Sequence, residues 1–255
     1  MKKIAVLLLT GLLAVSFTAC SSEDEASSDS SNSSVSSEIS TTGEIGDLLM
    51  NSFGKLFTDS SYCIDVSIFS ESYSSDSTNS EDTIQYSYEV AVDVENQKAG
   101  LDISTDGQNV SIVIKDGIGY EINHDDKLIT THTSDVDVQD FADSYTTYLY
   151  IGTLSGITLS SSGITKYNDT ECNFERYILS ADDISDVSNV TINTATITYY
   201  FKDGVPIAEA LESTSGKTTF TFNKVSNDID ESIFDIPDDY ETVSGDTSSE
   251  SESSE

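Results

Sequence analysis

Residues 83–95 read TIQYSYEVAVDVE, and this stretch limits the fold more than any other. Ile84, Tyr86, Tyr88, Val90, Val92 and Val94 occupy alternate positions, with Gln85, Ser87, Glu89 and Asp93 between them. A period of two marks a strand with one apolar face and one wet face. One-sided strands belong to antiparallel sheets. A slip of one residue would turn the whole apolar row into water, so the register is strongly specified.

Turn signals then recur at short intervals: Glu95-Asn96-Gln97, Asp106-Gly107, Asp116-Gly117, His124-Asp125-Asp126, Asn168-Asp169, Asp203-Gly204 and Ser215-Gly216. Asp-Gly and Asn-Asp pairs tolerate positive φ and favour tight hairpins. The segments around them are strand-like, from YCIDVSIF near Cys63 to KTTFTFNKV near the end. The reading is about eleven strands, joined mostly as a meander.

Two segments carry helical spacing instead. In TTGEIGDLLMNSFGKLF, Ile45, Leu48, Leu49, Phe53, Leu56 and Phe57 follow i, i+3, i+4, and Thr41 with Glu44 is placed as a capping box. In SDVDVQDFADSYTTYLY, Val138, Phe141, Ala142, Tyr145, Tyr148 and Leu149 share a face, and Ser134 and Asp137 stand where caps belong. The fold class is mainly β (α+β). It is a single large curved antiparallel sheet, a half-barrel, with short helices on its concave face. A sheet of that many strands curls, and two short helices cover its oily side only in part.

The chain opens with Lys2 and Lys3 and an apolar run from Ile4 to Phe17, which is too short to span a bilayer. It ends Phe17-Thr18-Ala19-Cys20, which resembles the lipobox of bacterial lipoproteins. The resemblance implies a signal peptide over 1–19 and a diacylglyceryl group on Cys20. Two acyl chains hold a protein stably where one does not. Residues 20–44 are almost entirely Ser with acids and read as a disordered tether, and 243–255 as a disordered acidic tail. One folded domain is expected between them, over 45–242.

Eleven basic residues face 46 acidic ones, a net charge of −35. Nothing here can displace phosphate counterions, so nucleic acid is excluded as a partner. The expected address is the extracytoplasmic face of a cell membrane, reached through Cys20. The acidic Ser-rich tether suggests a Gram-positive surface by composition.

The order of segments within 45–242 is similar to the LolA/LolB-like lipoprotein-carrier fold, which includes LppX- and LprG-type lipoproteins. The resemblance rests on the leading helix with Leu48-Leu49-Met50, the hairpin series IKDGIGYEIN and KLITTH, and the middle helix. The ending counts most: ITYYFKDGVPIAEALE, KTTFTFNKV and Ser232-Ile233-Phe234-Asp235-Ile236-Pro237. It implies a half-barrel with an apolar groove for a lipid or acyl chain. The expected lining is Leu49, Phe53, Ile84, Tyr86, Tyr88, Val90, Val92, Phe141, Tyr145 and Tyr148.

Signals for catalysis are poor. His124 and His132 lack metal-ligand spacing, and DVDVQD lacks the glycine and closing glutamate of a calcium loop. There is no Gly-x-Ser-x-Gly elbow and no Cys-x-x-Cys. Cys63 and Cys172 either form a disulfide closing a long loop or remain two small buried thiols. No catalytic, metal or cofactor residue is assigned. The expected protein is a monomeric, non-catalytic binder of a hydrophobic ligand. The rival is a surface interaction or sensory module with a filled core and an acidic binding face.

Overall fold

The structure is a computed structural model of the chain. It describes residues 38–39, 49–57, 61–73, 83–105, 107–133, 137–149, 158–180, 194–214 and 216–245. Cys20, the leader, Thr41, Glu44 and Ser134 lie outside the described residues.

The strands are β1 (Glu38–Ile39), β2 (Ser61–Ser72), β3 (Thr83–Asp93), β4 (Lys98–Thr105), β5 (Gln108–Lys115), β6 (Ile118–Asn123), β7 (Leu128–Thr133), β8 (Thr158–Tyr167), β9 (Thr170–Ser180), β10 (Thr194–Lys202), β11 (Val205–Glu212), β12 (Gly216–Ser226) and β13 (Glu241–Ser244). They hydrogen-bond in one unclosed sheet, in the order β1-β8-β9-β10-β11-β12-β2-β3-β4-β5-β6-β7-β13. The helices are α1 (Leu49–Leu56) and α2 (Val138–Leu149), with a 3-10 turn at Glu231–Phe234. The protein is mainly β, as its periodicity requires.

The eleven strands expected from the sequence all form, as β2 to β12. The short β1 and β13 at the ends of the order were not foreseen. β13 (Glu241–Ser244) runs parallel to β7. A strand that returns by a long connection can lie parallel, which a two-residue hairpin forbids.

The chain divides into two compact units. The first holds Met1–Lys55, Ile68–Ile84 and Tyr150–Phe222. Its hairpins turn at Asn168-Asp169 (φ 48° and 61°) and Asp203-Gly204 (φ 53° and 84°). Positive φ at both central residues matches the right-handed strand twist. The β10–β11 register shifts between Tyr200 and Phe201, and Pro206 faces Phe201 there. A bulge accommodates a residue that cannot donate to the ladder. Helix α1 buries Met50 and Phe53.

The second unit holds Leu56–Ser67, Gln85–Leu149 and Asn223–Glu255. Tyr88, Val90 and Val92 are buried with their cross-strand partners Leu101 and Ala99. Helix α2 lies against β4 and buries Val138, Phe141 and Ala142. Asp137 caps it, its carboxylate accepting from the Gln139 amide at 2.9 Å.

The opposite face is not uniformly wet, contrary to the period-two reading. Cys63, Ala91, Val113, Ile122 and Ile129 form a second core beneath Ile233 and Phe234 of the 3-10 turn. Burying those two side chains is worth about 3–6 kcal/mol. Gly100 makes the approach possible, since a Cβ there would meet the Ile233 carbonyl oxygen at 2.9 Å. Asp93, expected in water, is buried and accepts from the Asn96 amide at 3.0 Å and its side-chain nitrogen at 2.7 Å.

Candidate functional site

The helix-facing side of the first unit carries an unusual row of side chains. The register sets Glu175 of β9 opposite Tyr199 of β10, Tyr199 opposite Glu209 of β11, and Glu209 opposite Phe220 of β12. Directly opposed residues share a face. At a strand spacing of about 4.8 Å, the two carboxyls flank Tyr199 about 10 Å apart.

Glu175 is a buried anchor for α1. Its carboxylate accepts from the Leu49 amide at 2.6 Å, the Met50 amide at 2.9 Å and the Tyr177 hydroxyl at 2.8 Å. The first amides of a helix have no partner of their own, and an anion there also meets the positive end of the dipole. Phe53, one turn further along, packs on Tyr199 (ring centroids 6.3 Å apart) and edge-on to Phe222 (5.6 Å).

Glu209 is only 2% exposed. Burial pushes its carboxyl up to about 8, while a hydrogen bond with Tyr199 pulls the other way. Among the described residues nothing hydrogen-bonds its Oε2. Such an unmade bond costs about 1–3 kcal/mol.

The sequence did not single out either acid. A signal was present in each. Glu209 and Leu211 share one strand face, as do Glu175, Tyr177 and Leu179. An acid set in an apolar row is either a strand-face error or a buried group with a role.

The residues expected to line a groove fall in both units. Leu49, Phe53 and Ile84 belong to the first, and Tyr86, Tyr88, Val90, Val92 and Phe141 to the second. Phe53, Tyr88, Val90, Val92 and Phe141 are buried, and Leu49, Ile84 and Tyr86 are half-buried. Burial pushes the Tyr86 hydroxyl up to about 12. Tyr145 and Tyr148 lie outside the residues whose side chains are described.

A polar cleft of about 330 Å³ opens in the second unit, with Asp65, Glu89, Asp102, Asn109, Ser111 and His124 in its wall. His124 is held in place, with Nε2 2.7 Å from the Ser111 hydroxyl and Nδ1 3.1 Å from the Tyr240 hydroxyl. His132 does not join it, and its Nε2 lies 4.0 Å from Glu121. Among the described residues no group of three or more His, Cys, Asp or Glu could hold a metal ion. No described helix is long and apolar enough to cross a membrane.

Cys63 and Cys172 are both free and buried, the second of the two alternatives. Burial first, and then the Glu89 carboxylate 3.1 Å from its sulfur, push the Cys63 thiol up to about 12. Such a thiol is a packing group rather than a nucleophile.

No family model and no curated protein matches the chain. Similar solved structures exist at low identity. An uncharacterized conserved protein from Thermus thermophilus is 7% identical, with 76% of this chain and 96% of that one covered at a TM-score of 0.43. The Mycobacterium tuberculosis lipoprotein LppX is 10% identical, with 72% and 99% covered at a TM-score of 0.40. A LolA superfamily protein from Nitrosomonas europaea is 12% identical, with 73% and 97% covered at a TM-score of 0.31.

Proposed function

We propose that this chain is an exported lipoprotein, anchored through Cys20, which takes up a hydrophobic ligand beneath α1 without catalysis. The observation that carries the reading is the fit of α1 to the first unit. Its start is tied to Glu175 of β9, and its Phe53 packs on Tyr199 of β10 and Phe222 of β12, so α1 is held on the sheet at a few points. The Glu175 tie can release and re-form while the apolar contacts of Phe53 are exchanged for those of a ligand. An acyl chain entering there would gain roughly 25 cal/mol per Å² of apolar surface buried.

The chain has no Trp, so Phe53→Trp gives a lone reporter inside the site. Titration with a fatty acyl probe should blue-shift or quench its emission saturably. A flat titration at every acyl chemistry would end the carrier reading. It would leave the rival, an interaction module whose partner meets the acidic surface. The tight burial of Phe53, Val90, Val92 and Phe141 favours that rival.

A further inference from the structure

Glu209 is the one group of the first unit's helix-facing row left with an unmade hydrogen bond. Glu175 satisfies its carboxylate with two helix amides and Tyr177. Glu209 has Tyr199 on one side, the apolar Phe220 on the other, and an Oε2 that no described residue reaches. Tyr199 serves one oxygen of the acid. With the carboxyl held up near 8 by burial, the other oxygen carries the proton at neutral pH. It is then a donor with no acceptor.

The row Glu175–Tyr199–Glu209–Phe220 contains no base. An anionic head placed there would meet a second carboxylate and nothing to neutralise it. A cationic head would have to ionise Glu209 in a dry site, which burial opposes. An uncharged acceptor completes the bond at neither expense.

We propose that Glu209 receives the head group of the ligand, donating to an ester or hydroxyl oxygen of an uncharged amphiphile whose chain lies beneath α1. The assignment rests on the carrier reading. It adds a polarity to the site: head at the Glu209–Tyr199 pair, chain toward the Phe53 contact. Because Oε2 is enclosed, the head reaches it only when the side chains covering it move.

Equilibrium dialysis of the purified full chain against radiolabelled 1-monooleoylglycerol, octadecene, oleate and oleylamine tests this. Wild type should bind monooleoylglycerol about tenfold more tightly than the other three, the value of one good hydrogen bond. Glu209→Leu should lose that tenfold preference and keep its octadecene affinity. Glu209→Gln, which still offers a donor, should restore most of it. Thermal melts check that the variants fold.

Octadecene binding with equal monooleoylglycerol affinity in wild type and Glu209→Leu would overturn the assignment and leave the carrier reading intact. A preference for oleylamine or oleate would overturn the uncharged head. Failure of every probe, octadecene included, would overturn the carrier reading and this assignment together.

Discussion

The buried acid of β11 makes a sharp statement about stability and pH. In the unfolded chain the Glu209 carboxyl titrates near its ordinary 4.5, and in the folded chain near 8. The folded state therefore holds a proton that the unfolded state has released, across the window between those values. Folding is favoured fully below pH 4.5, loses ground as pH rises, and stops losing it above pH 8. The gap corresponds to a total loss of about 5 kcal/mol, of which about 2–3 kcal/mol falls between pH 6 and pH 8.

The comparison variant is Glu209→Gln, which keeps the shape and cannot ionise. Urea unfolding at half-unit steps from pH 5 to pH 9 should show wild type losing stability relative to the variant, with the difference flat above about pH 8.5. Parallel curves for the two proteins would refute the reasoning. They would mean that water or a base reaches Oε2 and that the carboxyl is not held neutral by burial.

Further outcomes follow from the same contacts. Glu175→Gln places an amide among the Leu49, Met50 and Tyr177 donors and should destabilise by about 2–3 kcal/mol, with hydrogen exchange rising first in α1. Gly100→Ala should destabilise by about 1–3 kcal/mol by pushing Ile233 off β4, read as a lower urea midpoint and faster exchange over residues 229–240. Cys20→Ala should move the protein from the membrane fraction to the soluble one, and persistence in the membrane would remove the lipid anchor from the proposal.

The strands were legible because both of their signals are local. Period two in β3 and β5, and residue pairs able to adopt positive φ such as Asp203-Gly204, need no knowledge of the rest of the chain. Helix α1 was legible for the same reason, through the spacing of Leu49, Phe53 and Leu56. Its cap was not. The carboxylate that receives the Leu49 amide lies 126 positions away; its row with Tyr177 and Leu179 shows which face it takes, but nothing local to CNFERYILS says that a helix amide meets it there. The second core of the second unit was hidden by a related effect. Ile229, Ile233, Phe234, Ile236 and Tyr240 keep neither a strand nor a helix period, so they read as a loop. They gain their meaning only by lying on Val113 and Ile122 across Gly100. Asp93 looked solvated because its alternation is right.

The site was legible in part. The tyrosines and valines of β3 were identified as apolar, and they are, yet Val90 and Val92 are sealed from water. The group of the Glu175–Tyr199–Glu209–Phe220 row with unused chemistry is Glu209 on β11, and the sequence did not single it out. Which face a strand residue occupies can be counted from its neighbours, but whether that face holds a partner for it depends on pairings that only the fold supplies.

Native mass spectrometry of the full chain, extracted in a mild detergent and never delipidated, tests the carrier claim most directly. The expected spectrum shows a second species heavier than the protein by the mass of one lipid. That mass should leave on collisional activation and be depleted in Glu209→Leu. A single species at the mass of the protein with its Cys20 modification, unchanged by added lipid, would contradict the claim.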